Sequence, residues 1–198
     1  HSDRQLPTSL WSILAVALVL RLLGAWCANL TFDERANLAL AETIDFRPGH
    51  FHLVSRTVAH PLLSIYVMKL SGLLFGTGNL GLRMLHLLAG TATVIPVYFL
   101  GKRVFSEKAG LWAAALLAVD QFHVSWSRVV LHEGLLLFFS ALVLLQLLRV
   151  LKSGSTRGFV LLGVLLGLAY LAKESAILLI PVLWTYLRNA EFKRDKDY

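Results

Sequence analysis

Apolar stretches of about 18–22 residues recur along this chain of 198 residues, each long enough to cross a hydrocarbon core of ~30 Å. In lipid such stretches fold as helices, because a helix satisfies its own backbone N–H and C=O groups. The composition agrees: 57% of the residues are hydrophobic, the mean hydropathy is +0.66, and 16% are charged, against roughly 25% in soluble globular chains. The fold class expected is all-α, a polytopic membrane helical bundle. A formal charge of +7 would suggest nucleic acid in a soluble protein. Here Lys and Arg collect in the loops, as membrane topology requires, so nucleic-acid binding is set aside. The single cysteine, Cys27, forms no internal disulfide and suits a packed apolar position, and no Cys/His spacing resembles a zinc site. His1 to Pro7 carry no basic segment with a cleavage site, and Leu10 to Leu30 is too long for a signal-peptide core, so it reads as a retained span.

The whole chain reads as a single transmembrane module. The first span is expected over about 9–30, started by Pro7-Thr8 and interrupted by Arg21. Arg21 must face protein, water or a headgroup, since a charge near the bilayer centre costs at least ~2.5 kcal/mol. A mixed segment, 31–81, follows as the first loop outside the cytoplasm. Within it, Phe32 to Ile44 has helical apolar spacing, Pro48-Gly49 breaks the pattern, and Pro61 to Phe75 reads as a surface or part-inserted helix ended by Gly76-Thr77-Gly78. Further spans are expected over 82–100, 110–126 and 129–148. The last apolar region, Phe159 to Leu187, is interrupted by Lys173-Glu174 and reads as one long helix or two short ones, 159–171 and 175–187. Charge decides between them. With two helices, Lys102/Arg103/Lys108, Lys152/Arg157 and the basic tail all fall on the cytoplasmic side. The expectation is therefore about six membrane helices with both termini cytoplasmic, in an inner or plasma membrane. The first loop, the Arg128 to Glu133 turn and Lys173-Glu174 then share the outer face.

Phe32-Asp33-Glu34-Arg35 sets two acids where the first helix leaves the bilayer, which makes the pair a candidate active-site element. The acidic pair is followed by His60-Pro61-Leu62-Leu63, by Leu82-Arg83-Met84 opening a span, and by Tyr98-Phe99-Leu100-Gly101-Lys102-Arg103-Val104-Phe105. Ser127-Arg128 with an acid five residues on, and Gly167-Leu168-Ala169-Tyr170-Leu171-Ala172-Lys173-Glu174, complete the series. In order and spacing the chain resembles the N-terminal module of the polyprenyl-phosphate-sugar-dependent glycosyltransferases of the GT-C fold, in the protein O-mannosyltransferase and aminoarabinose transferase branch. Members of that family typically carry around a dozen spans, and Pro-Pro or Lys-Pro-Pro usually stands where this chain has His60-Pro61-Leu62.

The resemblance implies transfer of a sugar from a polyprenyl-phosphate donor to an acceptor hydroxyl outside the cytoplasm, with inversion at the anomeric carbon. It implies Asp33 as general base, a role a carboxylate near the surface can fill. Glu34 would orient the acceptor, hold a divalent ion or tune Asp33; the bland reading makes both acids an N-terminal cap on the helix dipole. The leaving lipid phosphate gains negative charge, so cations aimed at it lower the barrier. Arg128 is the first choice for that role, with snorkelling to headgroups as the alternative, and His132 stands four residues on along the same helical face. His60 takes the place of a phosphate-side lysine or caps the following helix. Lys173 either binds donor phosphate or pairs with Glu174, and Glu133 either binds metal or forms an ion pair. No cofactor beyond that divalent cation is expected, and the partners expected are membrane lipids, the lipid-linked sugar and other membrane subunits. Asn29-Leu30-Thr31 fits a glycosylation sequon but lies too near a span end to serve as one. The lone histidines His50, His52, His86 and His123 carry no metal assignment. A second functional reading, from a different class, is a non-catalytic truncated membrane subunit that acts as a scaffold.

Overall fold

A computed structural model describes residues 7–26, 28–44 and 61–194, with the backbone alone for 190–194. Among these residues the regular elements are helices: α1 (Thr8–Leu22), α2 (Phe32–Thr43), α3 (Leu63–Phe75), α4 (Asn79–Ala92), α5 (Val94–Val104), α6 (Glu107–Val119), α7 (Gln121–Ser127), α8 (His132–Ser153), α9 (Thr156–Ala172) and α10 (Leu179–Arg194). A 3-10 turn over Glu174–Leu178 leads into α10.

Among the described residues two helical stretches are long and apolar enough to cross a membrane: α4 with α5, over Asn79–Val104, and α8, over His132–Ser153. The other apolar runs are broken by identifiable residues. The first leaves the helix at Leu22, and Gly24 takes a left-handed φ of +82° in the turn that follows. At 1.5 Å per residue α1 is ~22 Å long, short of a ~30 Å core. The run over 110–126 divides at Asp120, which leaves the helical region and caps α7 by accepting from His123 N at 2.6 Å. The last run divides at Lys173, whose backbone is extended, so it forms two helices.

Three apolar clusters organise the packing. Ala41, Ile65, Met68, Leu82 and Val130 join α2, α3, α4 and the loop before α8. Leu10, Ala17, Val94, Tyr98, Ala114 and Ala118 join α1, α5 and α6. Val143, Leu147, Val150, Leu162 and Leu183 join α8, α9 and α10. Close approach of α5 to α6 depends on Gly101 and Gly110, where an added Cβ would run into the facing backbone. Outside these clusters large apolar side chains stay exposed, among them Trp11, Trp26, Phe105, Trp112 and Trp184. Lipid accommodates such a surface and water does not.

Candidate functional site

After α1 the chain enters α2 by a capping box. Glu34 N donates to Thr31 Oγ1 (3.3 Å), and Thr31 N donates to a Glu34 carboxylate oxygen (2.9 Å). Glu34 does more than cap. It is fully buried, and Arg83 of α4 grips it with both Nε and Nη2, each at 2.7 Å. Val130 N donates to it as well, at 3.0 Å. Burial opposes the charge on this carboxyl, and the Arg83 hydrogen bonds, with those from Thr31 and Val130, outweigh it and hold the group below the ordinary glutamate range. Both oxygens accept twice.

Arg83 is saturated in turn. Its Nη1 donates to Ala25 O and Ala28 O, both at 2.9 Å, and Nη2 also donates to Asn29 O at 3.0 Å. With the two bonds to Glu34, all five guanidinium donors have partners. The main-chain oxygens that an uninterrupted first helix would have used are thus taken by a side chain from α4. Asn37, one turn along α2, donates to Val130 O at 2.9 Å. Glu34 and Asn37 together fasten α2 to the loop that carries Arg128.

Beside this knot lies a cavity of about 190 Å³ lined by Gly24, Ala25, Ala28, Asn29, Thr31, Arg83, Ser125, Arg128 and Val129. Arg128 is half-buried, and its Nε and Nη2 both donate to Leu20 O, near the end of α1. Its Nη1 lies toward the Gly24 wall of the cavity, where an added Cβ would come within 3.9 Å. Asp33 is exposed in the first turn of α2, two residues from the lining residue Thr31. Asp33 and Arg128 are therefore held at the same end of the bundle, with the bond from Val130 to Glu34 linking their immediate neighbourhoods. The cavity offers a cation in its wall, a group able to hold an anion.

The remaining expected site residues divide. Lys173 Nζ donates to Glu133 at 2.6 Å, so the α9–α10 junction is tied to the first turn of α8. Glu133 is half-buried in that ion pair, and among the described residues no group of three or more His, Cys, Asp or Glu comes together to hold a metal. The Glu133 carboxylate is thus held by the Lys173 ammonium, the ion-pair alternative of its reading. His132 is buried at the start of α8. Neither it, Lys173 nor Glu133 lines the cavity. His60 lies outside the described residues. Glu34, expected to orient the acceptor, hold a divalent ion or tune Asp33, has both carboxylate oxygens engaged by protein donors.

One residue central to the arrangement escaped the sequence reading. Arg83 stood there only as part of Leu82-Arg83-Met84, although a charge just inside an apolar run needs partners. Arg21 finds its partners on α1, α6 and α7: Ala17 O (2.8 Å), Ala118 O (3.3 Å) and His123 Nδ1 (2.5 Å).

Comparison with known proteins adds an independent line. The family described as dolichyl-phosphate-mannose-protein mannosyltransferase matches residues 59–195. The chain is 27% identical over 189 residues to an undecaprenyl phosphate-alpha-4-amino-4-deoxy-L-arabinose arabinosyl transferase of Pseudomonas aeruginosa, covering 87% of this chain and 33% of that protein. It is 30% identical over 181 residues to an uncharacterized protein of Aquifex aeolicus, covering 87% of this chain and 41% of that protein. The chain thus spans between a third and two fifths of the length of these relatives. No solved structure matches it.

Proposed function

The chain belongs to the dolichyl-phosphate-mannose-protein mannosyltransferase family, and from that premise we propose that it forms part of an integral membrane glycosyltransferase that uses a polyprenyl-phosphate-linked sugar. The name of its Pseudomonas relatives, undecaprenyl phosphate-alpha-4-amino-4-deoxy-L-arabinose arabinosyl transferase, supports this donor class. The single observation that carries the reading is the cavity beside the α1–α2 turn, with Arg128 in its wall and the exposed Asp33 two residues along the chain from its lining residue Thr31.

In the proposed reaction the acceptor hydroxyl attacks the anomeric carbon from the face opposite the phosphate. Its proton passes to the Asp33 carboxylate as the new C–O bond forms. The old C–O bond to phosphate breaks, the electron pair leaves with the lipid monophosphate, and the sugar is inverted. Arg128 meets the charge that grows on the phosphate oxygens, where a guanidinium donor is worth more than in bulk water. Glu34 and Arg83 take no proton; they keep α2 and the Arg128 loop in register. The α1, α6, α9 and α10 segments complete the set of membrane helices, and both chain ends face the cytoplasm, with the cavity on the opposite side.

A transfer assay with a radiolabelled polyprenyl-phosphate sugar tests this. Asp33→Asn in the full-length protein lowers the rate about 10²–10⁴-fold, with donor binding and thermal stability little changed because the residue is exposed. Full transfer activity in that variant would remove the base assignment.

A further inference from the structure

We infer that Arg21 and His123 are positioning residues that set Arg128 for a lipid-linked phosphate, an inference that rests on the donor reading above. Arg21 is fully buried on α1, one residue after Leu20, whose carbonyl Arg128 grips. Its Nη1 reaches Ala118 O at the end of α6 (3.3 Å), and its Nη2 lies 2.5 Å from His123 Nδ1 on α7. A guanidinium has only donors, so Nδ1 is the acceptor and the neutral ring carries its proton on Nε2. His123 O accepts from Ser127 Oγ at 2.6 Å. Ser127 packs so closely on Gly90 of α4 that a Cβ there would overlap it. Arg128 follows Ser127 and closes the ring back onto α1.

The contacts thus run α1 to α7 through Arg21 and His123, and α7 to α1 through Arg128 and Leu20. Such a ring fixes the angle between α7 and α1, and with it the place of the Arg128 guanidinium at the cavity wall. Stability alone is a poor account of the couple. Arg21 Nε and His123 Nε2 are buried without hydrogen-bond partners among the described residues, and each such group costs about 1–3 kcal/mol. Neither residue lines the cavity, so neither touches the ligand.

The test uses the full-length protein in lipid nanodiscs, with a sugar-free polyprenyl monophosphate as the binding probe and the labelled donor for kinetics. His123→Phe and Arg21→Met are expected to weaken monophosphate binding and raise donor KM about tenfold, the scale of one hydrogen bond to a charged group, while kcat moves less. His123→Asn keeps an acceptor for Arg21 and recovers most of the affinity. In an Arg128→Ala background His123→Phe adds no further loss, because its effect passes through Arg128. A folded His123→Phe with unchanged affinity, or losses that add in the double variant, would overturn the inference. If Arg21→Met does not fold, the His123 pair decides alone. If Arg128→Ala by itself leaves monophosphate binding intact, the donor reading falls and this inference with it.

Discussion

Two acid–base pairs stand at the same end of this bundle, and they differ in what surrounds them. Glu34–Arg83 is sealed, with side-chain exposures of 0% and 1%, and every donor and acceptor is used. Glu133–Lys173 is an equally short pair with about a quarter of each side chain exposed, 26% and 23%. The sealed pair joins α2, α4, the α1–α2 turn and the Val130 loop, so its loss leaves an unpaired charge in the interior. The open pair joins two helix ends that water or headgroups can solvate. A strong ion pair in an apolar chain is therefore no sign of chemistry, because the best-satisfied acid is the one least able to react. In the proposed reaction chemistry falls to Asp33, which is exposed, and Arg128, which lines the cavity.

The comparison breaks most readily at the sealed pair. Arg83→Met or Glu34→Ala should destabilise the fold by about 3–5 kcal/mol, seen as a lowered unfolding midpoint in detergent or nanodiscs; a change below 1 kcal/mol would show that the knot is dispensable. Acid should act through the same carboxyl. Its folded pKa lies below the unfolded value, so its contribution is fully present above the ordinary glutamate pKa and is lost as pH falls through the lowered one. Unfolding midpoints of wild type and Glu34→Gln should accordingly converge as the pH is brought down through that window. Thr31→Ala removes one half of the capping box and should cost about 1 kcal/mol, with the Arg83 contacts intact. Lys173→Met should change stability by no more than about 1 kcal/mol, and a larger loss would place the α9–α10 junction among the sealed elements.

Breaks in the apolar pattern were the most legible part of the fold. Gly76 ends α3 with a φ of +91°, Gly154 ends α8 with a φ of +58°, and Lys173 stops α9, each where composition interrupts an apolar run. The capping role of Glu34 was among the readings of the acidic pair, whereas Thr31 as its capping partner was not. The early end of α1 was not legible, because Leu23 to Leu30 continues the apolar pattern and only the arrival of Arg83 lets those carbonyls leave the helix. Long-range partners of this kind leave no local trace: Arg21 meets Ala118 and His123, 97 and 102 positions away. The site was half legible for the same reason. Asp33 and Arg128 announced themselves as charges at the ends of apolar runs, whereas the groups that hold them in place did not.

The cross-chain arginines have an effect on where a cleft can form. A helix in lipid normally runs on until it meets water, since its last oxygens need hydrogen there. Here guanidinium groups from other helices bring that hydrogen to residues 20, 25, 28, 29 and 118. The main chain is thereby free to turn before the apolar run ends, and a polar hollow can open where an uninterrupted helix would have filled the space.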